Sequence, residues 1–167
     1  LLGRDQIYAV EEPGYGKIRK IYDAGGVRCV SAPLDDKGVR PDSLGEARVL
    51  HISPSHHFPT GLVTPVSRRS ELLTWAKECG GYIIEDDYDS EFRFDSHPKP
   101  TMQALDRDGR VIYMNSFSKS LAPSIRISYM VLPGDLMEQF RERLGFYSCT
   151  VPSFEQYTLA RFLSRGH

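Results

Sequence analysis

A series of short apolar runs, each ended by a polar, acidic or proline- and glycine-bearing stretch, constrains this chain most. The runs fall at residues 6–10, 27–30, 48–52, 82–84 and 111–114, and helix-forming segments lie between several of them. Runs of that length read as strands buried on both faces. Strands alternating with helices at this spacing predict an α/β fold, three-layered, with a mostly parallel, doubly wound sheet. In such sheets ligands gather beyond the carboxyl ends of the strands. The residues just after each run therefore matter most.

Taken in order, the strand at 6–10 ends in Glu11-Glu-Pro-Gly-Tyr15, and a helix opens between Tyr15 and Tyr22, closed by Gly25-Gly26. Asp35-Asp-Lys-Gly38 is a turn signal. The strand at 48–52 runs into Ser53-Pro-Ser-His-His-Phe-Pro-Thr-Gly61, where two prolines and a glycine predict an irregular loop of the kind that contacts ligands. Ser67 is the expected N-cap of a helix whose Leu72, Trp75, Ala76 and Cys79 share one face, stopped by Gly80-Gly81. Trp75 reads as core. The strand at 82–84 ends in Glu85-Asp-Asp-Tyr-Asp89. The strand at 111–114 leads to Asn115-Ser-Phe-Ser-Lys119, and residues 126–132 form one more strand, reached by too short a link for a crossover and so antiparallel. Asp135 with Glu138 reads as a capping box for a helix with a Met137, Phe140, Leu144 stripe that Gly145 ends. Ser153 and Gln156 start another, carrying Tyr157, Ala160 and Leu163.

Bulk properties exclude some classes. With 167 residues, 40% hydrophobic and 26% charged, the chain is sized for one core, and a net charge of −1 gives no overall basic excess for nucleic acid or an anionic membrane. No apolar run reaches the ~20 residues of a membrane span. Three scattered cysteines without a Cys-x-x-Cys argue against a disulfide framework or structural zinc and fit a reducing cytoplasm. The absence of an initial Met, with a strand so close to Leu1, gives the expectation of a piece of a longer polypeptide.

The residues past the strand ends match one chemistry. A lysine among small hydroxylated residues can hold an aldehyde as a Schiff base, while hydroxyls and an arginine bind a phosphate. Pyridoxal phosphate also needs a carboxylate at its ring nitrogen, a donor to its phenolic oxygen and a flat stacking side chain. Lys119, Ser116, Ser118, Arg126, Asp86, Tyr88 and Tyr15 are the respective candidates. The acidic run 85–91 is also considered as a Mg²⁺ or Ca²⁺ site, but its spacing fits no EF-hand loop, and no metal is expected. His56 and His57, adjacent in an extended loop, point different ways, which is poor geometry for one ion.

Four segments together, Glu11–Tyr15, Ser55–Gly61, Ile84–Phe92 and Ser116–Arg126, resemble the fold-type-I aminotransferases, and most of all the aminotransferase-like domain of MocR-type regulators of the GntR family. The resemblance covers nearly the whole chain, in family order and spacing. It implies that Lys119 is the Schiff-base lysine, Asp86 the partner of the ring nitrogen and Tyr88 the donor to the phenolic oxygen, these three being the catalytic set. Tyr15 is implied as the stacking ring, and Ser116, Ser118 and Arg126 as phosphate ligands. Asp87 and Asp89 are expected to be structural carboxylates facing water.

The pattern departs from the family in places. The family's Asn-Pro-Thr-Gly is here Phe58-Pro-Thr-Gly61, so the asparagine's role falls to His56 or His57 or to neither; His56 is carried as a cofactor-binding candidate. Ser128 stands where glycine is common. Lys17 reads as an exposed helix lysine rather than a substrate contact. The upstream phosphate loop and the downstream carboxylate-binding arginine have no counterpart.

The resemblance implies that residues 1–167 are part of the cofactor-binding large domain, with a winged-helix DNA-binding region upstream and a small domain downstream. The expected function is a pyridoxal-phosphate-binding sensor of a small amine or amino acid within a cytoplasmic, homodimeric regulator that touches DNA only through a region outside this chain, with no membrane partner. The alternative is a working aminotransferase moving an amino group between an amino acid and a 2-oxo acid. Both use the same residues.

Overall fold

The structure is a computed structural model that describes residues 1–89, 92, 99–119, 121 and 124–166. Its described strands are β1 (Tyr8–Glu12), β2 (Cys29–Asp35), β3 (Gly38–Val39), β4 (Val49–Ile52), β5 (Tyr82–Asp86), β6 (Val111–Ser116) and β7 (Ser128–Val131). They form a seven-stranded sheet in the order β3-β2-β1-β4-β5-β6-β7. The five central strands are parallel, and β7 runs antiparallel to β6 as its short link predicts. The hairpin at Asp35–Gly38 adds β3 as a second antiparallel edge.

Strand alternation sends successive side chains to opposite faces, and each face has its own cluster. Ala9, Leu50, Ile52, Ile83 and Val111 pack beneath α2 (Val66–Cys79) and α3 (Met102–Leu105), against Leu72, Ala76 and Met102. Tyr8, Val49, Ile84 and Ile112 face the other way, toward Tyr22 of α1 (Gly16–Ala24) and Leu136 of α4 (Gly134–Leu144). These are the three layers. Trp75 packs at the margin of the first cluster, as expected.

Several boundaries differ from the sequence-based expectation. β2 continues five residues past Val30, because pairing with β1 extends it through the exposed Ser31 and through Pro33, which no apolar pattern marks. α2 starts at Val66 with Pro65 as its N-cap, so Ser67 lies inside the first turn and caps nothing. Gly80 does end it, in the left-handed conformation at φ 65°, and Gly81 N–H returns to Ala76 at 2.9 Å. Pro133 and Pro152 likewise sit at the N-caps of α4 and α5 (Ser153–Ser164). Asp135 therefore does not cap; its carboxylate accepts the Tyr82 hydroxyl at 2.7 Å. α4 buries Leu136 rather than the Met137, Phe140, Leu144 stripe, and no residue of α5 is buried among the described residues.

A polar knot holds the carboxyl ends of the strands on the α2 side. Arg69 is fully buried and donates to the Thr64 and Pro54 carbonyls at 3.0 Å each and to Pro100 at 3.1 Å. It lies 3.5 Å from Glu85, which accepts the Met102 and Gln103 N–H groups at 2.8 and 2.9 Å at the start of α3. Burial pushes the Glu85 carboxyl up, and these backbone donors and Arg69 pull against it. The loop after β4 and the end of β5 are thereby tied to one helix.

Candidate functional site

Because β1, β4, β5 and β6 are parallel, their carboxyl ends meet at one edge, and a cavity of about 700 Å³ opens there. That volume suits a small cofactor. Its wall includes Tyr15, Asp86, Tyr88, Ser116, Lys119 and Arg126, so six of the eight candidates come together. Ser118 and His56 are not in the wall. The Ser118 hydroxyl donates to the Ile125 carbonyl at 3.2 Å and accepts from Arg126 at 3.1 Å, so it braces the arginine. The His56 side chain is exposed, its ring centre 6.3 Å from that of Tyr88, and its carbonyl accepts the Tyr88 hydroxyl.

The lysine lies three residues past β6, exposed, with its amine paired to Asp89 and 5.5 Å from the Tyr88 ring centre. Asp89 is thus not a carboxylate facing water. It holds the amine from a left-handed backbone position, φ 59°. Asp87 is corrected similarly: it is buried, and accepts the Tyr113 hydroxyl at 2.8 Å, which in turn accepts from Asn115 at 3.2 Å. This chain joins the ends of β5 and β6 beside the lysine loop. Burial, with Asp89, Asp86 and Glu11 nearby, pushes the Tyr88 phenol up, so it keeps its proton and acts as a donor.

Strand alternation parts two of the carboxylates of the acidic run. Glu85 turns to the α2 side and Asp86 to the α1 side; Glu91 lies outside the described residues. No group of three metal-ligating side chains occurs among the described residues.

The asparagine's place is taken by an aromatic wall. Phe58 lines the cavity, edge-on to Tyr15 with ring centres 6.1 Å apart. His57 turns inward instead: its Nδ1 contacts the Thr60 hydroxyl at 2.7 Å and its Nε2 lies 3.6 Å from Glu11. Lys17 is an exposed helix lysine, 5.8 Å from the Tyr15 ring centre, and Ser128 is an exposed residue of β7.

Three polar groups of the floor were not singled out from the sequence. Glu11 accepts the Ser53 N–H at 3.0 Å, and burial pushes its carboxyl up to about 8, with Ser53 opposing and Asp86 adding to the rise. Burial lowers the His57 imidazole. Both shifts favour uncharged forms, so the Glu11–His57 contact is not an ion pair. His51, buried in β4, also lines the cavity, as does Arg19, which donates to the Ser31 hydroxyl at 3.0 Å. The available signal was a histidine and a glutamate at the ends of apolar strand runs.

A parallel sheet with a lysine past one strand end and a carboxylate at the next, on one cavity, defines the architecture of a pyridoxal-phosphate-dependent transferase. The comparisons agree. The model of the aminotransferase class I and II family matches residues 2–167, and the chain belongs to that family, whose cofactor is pyridoxal phosphate. It is 45% identical over 158 residues to the HTH-type transcriptional regulator YdeL of Bacillus subtilis, covering 93% of this chain and 34% of that one. It is 34% identical over 169 residues to the probable rhizopine catabolism regulatory protein MocR of Rhizobium meliloti, covering 100% of this chain and 34% of that one. The chain thus spans about a third of the length of these relatives. Among solved structures, LysN, an α-aminoadipate aminotransferase of Thermus thermophilus, superposes with a TM-score of 0.83 at 30% identity, over 99% of this chain and 45% of that one.

Proposed function

We propose that this chain is the cofactor-binding part of a MocR-type transcriptional regulator, in which pyridoxal phosphate on Lys119 reports the presence of a small amine or amino acid. The observation that carries it is the placement of Asp86 at the end of β5 and Lys119 just past the end of the adjacent parallel β6, on one cavity walled by Tyr15 and Tyr88. The likeness to HTH-type regulators across nearly the full chain supports a sensor over a free-standing enzyme.

When bound, the cofactor supplies an aldehyde that condenses with amines and a protonated ring that withdraws electrons. The chain's own groups do the rest. Lys119 is the amine for the aldehyde, released from Asp89. Asp86 holds the proton on the ring nitrogen. Tyr88 would supply the donor for the phenolic oxygen, and Tyr15, beside Phe58, would supply the flat face for the ring. Ser116 and Arg126 take the phosphate, with Ser118 steadying the guanidinium.

Residues 1–167 then form part of the large domain, with the DNA-binding region and small domain lying outside them. The full protein is a cytoplasmic homodimer that meets DNA only through that outside region. In support, no described helix is long and apolar enough to cross a membrane, and the chain covers only a third of its relatives. The test is to titrate the full-length protein with pyridoxal phosphate and then with amines, following its visible absorbance and DNA affinity. A visible band that Lys119→Ala abolishes, and amine-dependent DNA binding, are expected. Rapid transamination without any change in DNA affinity would overturn the sensor reading.

A further inference from the structure

The register of β4 and β5 pairs His51 with Ile84, which puts His51 and Asp86 diagonally adjacent on the α1 face. There the His51 Nε2 lies 3.8 Å from Asp86 Oδ2, and it has no hydrogen-bond partner among the described residues. On the far side of the ring, Nδ1 is 2.7 Å from the Tyr22 hydroxyl, which approaches from α1. A buried ring nitrogen without a partner is costly, and few native structures tolerate one without a reason.

The hydrogen-bond pattern decides the tautomer. Burial keeps the Tyr22 phenol protonated, and Nδ1 is the one hydrogen-bond partner its hydroxyl has among the described residues, so the O–H donates there and the partnerless Nε2 is left to face Asp86. The ring proton therefore sits on Nε2 and points at the Asp86 carboxylate. The opposite tautomer would set a lone pair against that carboxylate. Tyr22 is itself fixed by Tyr8, ring centres 5.0 Å apart, in the apolar cluster under α1.

We propose that His51, oriented by Tyr22, is a positioning residue for Asp86: its Nε2–H closes onto one carboxylate oxygen and leaves the other aimed at the ring nitrogen of the cofactor. This rests on the assignment of Asp86 to that nitrogen. A carboxylate that accepts such a bond is held in its anionic form and in one rotamer. A histidine present only to fill space would need neither the Tyr22 bond nor an orphan nitrogen facing the carboxylate.

The experiment uses the full-length protein loaded with pyridoxal phosphate ¹⁵N-labelled in the ring, with the ring-nitrogen chemical shift and the cofactor dissociation constant as readouts. His51→Leu should move the ¹⁵N signal from the protonated toward the unprotonated position and weaken binding about tenfold, the size of one hydrogen bond to a charged group. His51→Gln, whose amide N–H can reach the carboxylate, should restore most of both. Tyr22→Phe should shift the signal in the same direction by less. A His51→Leu protein with the wild-type ¹⁵N shift and an affinity within about twofold overturns the inference. If His51→Leu does not fold by circular dichroism, Tyr22→Phe decides, and an unmoved signal overturns it. A wild-type protein with no visible band removable by Lys119→Ala sinks the cavity assignment and this inference with it. A normal wild-type band with silent variants sinks the inference alone.

Discussion

Glu11 shows how burial changes the charge of one residue on the cavity floor. Its carboxyl is pushed up to about 8 by burial, from an ordinary value of 4.5. The unfolded chain gives up this proton near 4.5 and the folded chain near 8, so between those values the folded state holds the extra proton. Stability from this group therefore falls as pH rises through that window and is flat outside it. Glu11→Gln should flatten the slope of unfolding free energy against pH there by up to ~1.4 kcal/mol per pH unit, measured by denaturant unfolding at a series of pH values. Asp86 has the opposite part in the proposed function, as partner of the cofactor's ring nitrogen. Asp86→Asn preserves shape but cannot hold the ring nitrogen's proton, so cofactor binding should weaken by about tenfold or more and any transamination half-reaction should stop. Absorbance titration checks the first and single-turnover spectra the second.

Elements were legible where their period was clean. The central strands announced themselves as apolar runs, and Lys119, Asp86 and Tyr15 could be placed together because residues following parallel strands share an edge. Helix starts were misplaced for one physical reason: Pro65, Pro133 and Pro152 stand at the N-caps, so the nearby Ser67, Asp135 and Ser153 fall inside the first turn. α3 is only four residues long and shows no amphipathic period. Glu11 and His51 went unread because a polar residue in a strand looks the same in sequence whether it is a packing residue or part of a cavity floor. The segment at 93–98 lies outside the described residues. Arg69 is likewise unreadable as a knot, since its partners come from three segments far apart in sequence. Arg69→Met should cost about 3–5 kcal/mol, because it strips the Thr64, Pro54 and Pro100 carbonyls of donors and leaves Glu85 without its cation. A urea midpoint lowered at unchanged slope would show it; a shift within error would mean the knot is dispensable.

At the scale of the molecule the segment after β7 contrasts with the sheet. Both sheet faces are closed by buried apolar side chains, whereas Phe146, Phe154 and Tyr157, which follow β7 in the chain, are 77, 79 and 74% exposed. Large aromatic rings this exposed favour association. The isolated chain should self-associate, and Phe154→Ser with Tyr157→Ser should reduce that, as read by light scattering. An unchanged scattering profile would place the sticky surface elsewhere.

β7 closes the described sheet on one flank, antiparallel to β6, and the reversal between them bears Lys119. The lysine proposed to hold the cofactor therefore sits in the reversal that leads to an edge strand, paired with the body on a single side. Whatever comes to lie along that outer flank gains leverage over the amine a few residues away. Information about an occupied cavity has a short road to the exterior, and it need not cross the rigid centre.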